Sequence, residues 1–156
     1  MLLALPILLA LAVSCEMSNQ ADVSIGILVD SKTGSTFVSY VSCGPGETQI
    51  TVYSGDGDPS APTSTTVWQA TDTGQRTGLT SYQVGRERPF LDTSVPLADP
   101  LDPSATYTAL IRQGQSSVQL SFSPEDATPG DVLTRSGRMS SSEFGDLSES
   151  ACRSGD

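Results

Sequence analysis

The chain has 156 residues, a formal net charge of −10 and no histidine. Without histidine there is no Ser-His-Asp or Cys-His machinery, and the commonest general base is missing. Eighteen acids against eight cations make a surface that repels nucleic acid and anionic membrane.

Residues 1–15 hold no charged side chain and run apolar from Leu2 to Val13 before stopping at Cys15. A bilayer span takes about 20 residues, so this run has the length of a signal-peptide core instead. Leu11-Ala12-Val13-Ser14-Cys15 resembles the lipobox of bacterial lipoproteins. That resemblance implies a signal peptide over 1–14 and a lipidated Cys15 as the mature N-terminus. Two other fates fit the same residues. Ala10-Leu11-Ala12 obeys the small-x-small rule for ordinary secretory cleavage after Ala12, and an uncleaved segment would stay as an anchor.

Three cysteines are present: Cys15, Cys43 and Cys152. An odd count leaves one thiol over in an exported protein. With Cys15 lipidated, Cys43 and Cys152 remain as a pair, and export favours a disulfide between them. The alternative is two unrelated free thiols.

Residues 15–21 then form the lipidated cysteine and a short polar tether. Val23 to Asp30 has apolar residues at every odd position, the period of a half-buried strand. Ser31-Lys32-Thr33-Gly34 is a turn. Thr36 to Cys43 is a second strand with Phe37, Val41 and Cys43 on one face, broken by Gly44-Pro45-Gly46-Glu47. Further strands are expected over Gln49 to Tyr53, Ser64 to Ala70 (with Trp68), Leu79 to Val84, Thr93 to Leu97, Thr106 to Arg112 and Ser117 to Phe122. Short strands with frequent turns indicate an all-β antiparallel sandwich over residues 22–122.

Leu101-Asp102-Pro103-Ser104-Ala105-Thr106-Tyr107 resembles the Leu-x-Pro-x-x-x-Tyr lead-in to the sixth strand of fibronectin type III domains, which belong with the immunoglobulin-like sandwiches. The resemblance implies a tyrosine corner: Leu101 plugs the core, Pro103 stiffens the turn, and the Tyr107 hydroxyl returns to upstream backbone. Trp68 departs from the pattern, since a fibronectin module usually carries tryptophan on its second strand.

Residues 123–156 read as a C-terminal extension. Ser123-Pro124-Glu125-Asp126 offers a one-turn helix, and residues 131–139 read as mobile. Ser140 to Glu143 is a capping-box candidate, followed by Phe144, Leu147 and Ala151 at helical spacing. A short amphipathic helix pinned to the sandwich by Cys152 is expected.

Catalytic patterns are weak. Asp72-Thr73-Gly74 matches the tripeptide of aspartic proteases but lacks the apolar lead-in and the following Ser or Thr, so a loop turn is expected. Asp56-Gly57-Asp58 is a weak calcium candidate without the rest of an EF-hand loop; otherwise no metal or cofactor is expected. Arg86-Glu87-Arg88-Pro89-Phe90 mixes charge with an aromatic and is either a contact site or an unpartnered edge loop. As a whole the chain resembles small uncharacterised bacterial lipoproteins of high-GC Gram-positive organisms, a likeness that implies a place in the cell envelope and brings no activity with it.

The expected function is that of a non-enzymatic, exported, lipid-anchored module. It would bind a surface ligand or support a complex of envelope proteins, held to the membrane by its N-terminal lipid and making no contact with nucleic acid. The rivals are a secreted protease inhibitor using the Ser54 to Thr63 loop, and an envelope hydrolase using two nearby acids.

Overall fold

The computed structural model describes residues 25–55 and 63–153. The expectations for the signal segment, Cys15, the tether, Asp56 and Asp58 fall outside those residues, as does most of the Ser54 to Thr63 loop.

Among the described residues, ten strands form two five-stranded antiparallel sheets. They are β1 (Ile25–Val29), β2 (Thr36–Ser42), β3 (Thr48–Ser54), β4 (Thr65–Asp72), β5 (Gly78–Gln83), β6 (Leu91–Val95), β7 (Tyr107–Gln113), β8 (Ser116–Phe122), β9 (Asp131–Thr134) and β10 (Gly137–Ser140). A 3-10 turn, Pro124–Asp126, follows β8, and helix α1, Ser141–Arg153, follows β10. One sheet runs β10-β9-β1-β2-β5 and the other β6-β4-β3-β7-β8. Within them β1-β2-β5 faces β4-β3-β7-β8, the arrangement of an immunoglobulin/fibronectin type III-like sandwich. β6 is an added edge, and β9 and β10 extend the first sheet beyond β1.

Alternation decides what is inside. Ile25 and Ile27, Val38 and Tyr40, Ile50 and Val52, Ala109 and Ile111, and Val118, Leu120 and Phe122 project between the sheets. Trp68 on β4 is fully buried in the same core. The residues expected to share a face on β2, Phe37, Val41 and Cys43, alternate with the core pair Val38 and Tyr40. They therefore lie on the outer face of that sheet. Val41 is buried there because α1 packs on the outer face, so β2 is covered on both sides.

The tyrosine corner is present. Tyr107 is buried, and its hydroxyl accepts a hydrogen bond from the Asp102 N–H at 2.9 Å. Leu101 packs against the core. The Pro103 carbonyl accepts from the Glu125 N–H at 3.0 Å, joining this corner to the 3-10 turn.

The reading of residues 131–139 as mobile is corrected. They form the β9–β10 hairpin, with Leu133 opposite Ile27 of β1. Gly137, at φ 116°, supplies the left-handed turn residue, and Thr134 Oγ1 donates to its carbonyl at 2.8 Å. The sheet thus continues past residue 122, where the sandwich was expected to stop. Two strands of four residues each are too short to display a readable alternation.

α1 opens with the expected capping box. The Ser140 N–H donates to Glu143 Oε2 at 2.9 Å and the Glu143 N–H donates to Ser140 Oγ at 3.2 Å. The Ser140 hydroxyl, which donates to Glu143 Oε2 at 2.7 Å, and after it the Ser140 N–H hold the Glu143 carboxyl below its ordinary range. Phe144 is buried over β1, where Gly26 leaves room: a Cβ there would meet the Phe144 ring at 3.1 Å and collide with Val132 Cγ1. The helix ends on a disulfide from Cys152 to Cys43, with Cα atoms 5.0 Å apart and a sequence separation of 109. Closing so long a loop is worth about 4–5 kcal/mol in the chain-entropy account.

Candidate functional site

Backbone register brings one end of the sandwich together around Cys43. β2 ends at Ser42 opposite Gly78, the first residue of β5, while Thr48 at the start of β3 pairs with both Asp72 and Gln113. The Cys43–Cys152 bridge lies at this end. The tyrosine corner lies at the other, since Tyr107 pairs with Ser54. The site residues named from sequence therefore divide into two clusters that do not meet.

A polar plug fixes the loop after Cys43. Gln113 Nε2 donates to Ser42 Oγ at 2.7 Å and to the Gly44 carbonyl at 3.1 Å. Ser42 Oγ donates to the Gly44 carbonyl at 2.6 Å, and the Tyr40 hydroxyl donates to Gln113 Oε1 at 3.4 Å. Burial pushes the Tyr40 phenol above its ordinary value. One core-facing glutamine thus holds a loop that contains two glycines and a proline.

That loop rims an open groove of about 700 Å³. Its floor is the outer face of the second sheet, where Thr71, Gln49 and Arg112 stand in one cross-strand row. Glu47 is the carboxylate in the lining. Arg112 is exposed and forms no ion pair with another described residue. The groove offers amide, hydroxyl and guanidinium groups to a ligand.

Asp72-Thr73-Gly74 sits beside it as a turn. Asp72 is buried, its Oδ1 accepting from the Gly74 N–H at 2.8 Å and its Oδ2 facing Arg76 Nε at 3.3 Å. Burial first, then the charge and hydrogen bond of Asp72, pushes the Tyr82 phenol far above its ordinary value. Each Asp72 oxygen is engaged within its own turn, which makes this carboxylate a structural anchor. Among the described residues no cluster of His, Cys, Asp and Glu could hold a metal.

The next loop is the more unusual feature. Phe90 is 67% exposed, the most exposed of the large hydrophobics among the described residues, and its backbone sits at φ 69°. A bulky non-glycine residue seldom adopts that region. Its carbonyl is held by Thr73, through the N–H at 2.9 Å and Oγ1 at 3.3 Å, and the Leu91 N–H bonds back to Arg88 at 3.1 Å. Thr73 lies two residues beyond groove-lining Thr71, so the Phe90 backbone adjoins the β4 side of the groove. Arg86, Glu87 and Arg88 are exposed with it. Residues 65–95 balance Arg76, Arg86 and Arg88 against Asp72, Glu87 and Asp92, so the whole net charge resides elsewhere.

Sequence reasoning singled out the Arg86-to-Phe90 loop but missed the groove. Thr71, Gln49 and Arg112 are outward polar positions on three strands, and only register makes them neighbours. No protein-family model matches the chain, nor does any curated protein or solved structure.

Proposed function

We propose that this protein is an exported, lipid-anchored β-sandwich that binds a protein partner at the cell envelope through the edge formed by Phe90, Arg88 and the adjacent groove. The observation that carries the reading is Phe90 itself. Backbone strain at a non-glycine residue persists only where the surroundings impose it, and it concentrates at sites of contact. Here Thr73 fixes the strained backbone while the ring stays in solvent. A preset aromatic beside an arginine is the composition of an interface hot spot.

The lipobox-like Leu11 to Cys15 supports the anchored location. Ile25 pairs with Tyr40 of β2, so the chain enters the sandwich near its Cys43 end. Ten residues of chain reach at most about 35 Å, so an acylated Cys15 would keep the groove and Phe90 close to the membrane. The partner is accordingly a membrane-proximal envelope protein.

The test is a photo-crosslinking amino acid at position 90 of the full chain in native membranes. One crosslinked polypeptide is expected, and it is lost with Arg88→Glu. Capture of many proteins in equal yield, or capture indifferent to Arg88→Glu, would overturn the reading.

A further inference from the structure

Four arginines are engaged. Arg76 faces Asp72 at 3.3 Å, Arg86 donates to Gln83 Oε1 at 3.2 Å, Arg135 to the Gln119 carbonyl at 3.1 Å and Arg138 to the Asp126 carbonyl at 2.8 Å. Arg112, like Arg88 of the Phe90 loop, has no such partner among the described residues. It stands exposed in a chain with eighteen acids. One of those acids, Glu47, lines the same groove. Glu47 is exposed too and forms no ion pair with a described residue.

The backbone explains why these two charges stay open to a ligand. Glu47 precedes by two residues Gln49, which is opposite Arg112, so the pair is a cross-strand diagonal with about 7–8 Å between backbones. Gln113 Nε2 donates to the Gly44 and Gly46 carbonyls at 3.1 and 3.5 Å, which fixes the loop just before Glu47. Opposite charges on a preset backbone need little ordering to take a ligand between them. Gln49 and Thr71 add an amide and a hydroxyl to the same floor. Asp92, opposite Thr71, ends this row three strands from Arg112, about 14 Å away and too far to pair with it.

We propose that the groove binds a short peptide with free termini, its carboxylate on Arg112 and its ammonium on Glu47. The match is one of charge and length. Two extended residues span about 7 Å, close to the diagonal, whereas a single amino acid holds its two charges nearer together. A guanidinium takes a carboxylate through two parallel N–H groups, and the peptide amide between the termini meets Gln49 and Thr71. The groove, at about 700 Å³, has the size usual for small-ligand sites. This site needs neither Phe90 nor the N-terminal lipid, so it goes beyond the partner contact proposed above.

Isothermal titration calorimetry of the full chain in detergent tests the site, with alanyl-alanine as the probe. One-to-one binding is expected. Acetylating the amine of the probe, or amidating its carboxylate, should weaken binding at least about tenfold. Arg112→Gln should bind the free dipeptide at least about tenfold more weakly and no longer tell the acid from the amide. Glu47→Gln should no longer tell the free amine from the acetylated one. Unchanged Trp68 fluorescence in each variant separates loss of binding from loss of fold. No binding at about 10 mM dipeptide, equal binding of all three probes, or variants that keep the native discrimination would overturn the proposal. The crosslink at position 90 reports on the Phe90 contact separately, so either site can fail without the other.

Discussion

Replacing Phe90 with glycine separates a contact residue from a structural one. The left-handed backbone at φ 69° costs a non-glycine residue about 1–2 kcal/mol, which glycine recovers. Against that, glycine loosens the unfolded chain by about 0.5–1 kcal/mol. The ring is 67% exposed, so about a third of a full burial worth about 1.5–3 kcal/mol is lost, or about 0.5–1 kcal/mol. The terms nearly cancel, and Phe90→Gly should lie within about 1 kcal/mol of the native stability. Phe90→Ala loses the same contact and keeps the strain, so it should be the less stable of the two by about 0.5–1 kcal/mol. Urea unfolding followed by Trp68, the single tryptophan and fully buried, reads both, with the disulfide intact. If alanine is as stable as glycine, the strain argument fails. If either variant loses more than about 2 kcal/mol, Phe90 belongs to the core and the contact argument fails with it.

Three further outcomes are expected. Tyr107→Phe leaves the Asp102 N–H without its partner and should cost about 1 kcal/mol in the same urea assay; no change would mean the corner is not a stabilising contact. Gly26→Ala drives a Cβ into Val132 and Phe144 and should cost about 1–3 kcal/mol, with amide exchange accelerated in α1 ahead of the sandwich; slow exchange throughout would refute the socket. In an absorbance titration of the phenols, Tyr40 and Tyr82 should stay protonated past their ordinary value of 10.0. The unfolded chain releases those protons near that value while the folded chain holds them, so stability should fall as the pH climbs above 10.0. A stability that rises there would reverse the sign of the argument.

Local signals were legible where one residue type answers to one physical demand. The alternation from Ile25 to Val29, the Leu101-to-Tyr107 corner and the Ser140–Glu143 capping box each act over a few residues. The Cys43–Cys152 bridge followed from counting thiols, with no knowledge of distance. What stayed hidden depends on pieces far apart in sequence. β2 alternates as expected, but only the docking of α1 reveals that its Phe37–Val41 face lies outside the main core. β9 is held by pairing with β1, and β10 by pairing with β9, rather than by any pattern of their own. The Phe90 loop was visible as an aromatic among charges, while its backbone strain comes from the Thr73 contact. The groove is a product of register across three strands.

The proposed location underlies the proposed partner, and that location rests on the lipidation proposed at Cys15. The direct measurement is the intact mass of the protein taken from the membrane fraction. The account predicts a mature chain that starts at Cys15 with the added mass of its acyl groups, and its release or stalled processing in Cys15→Ala. A mature chain that starts at Val13 and carries no lipid mass would contradict it.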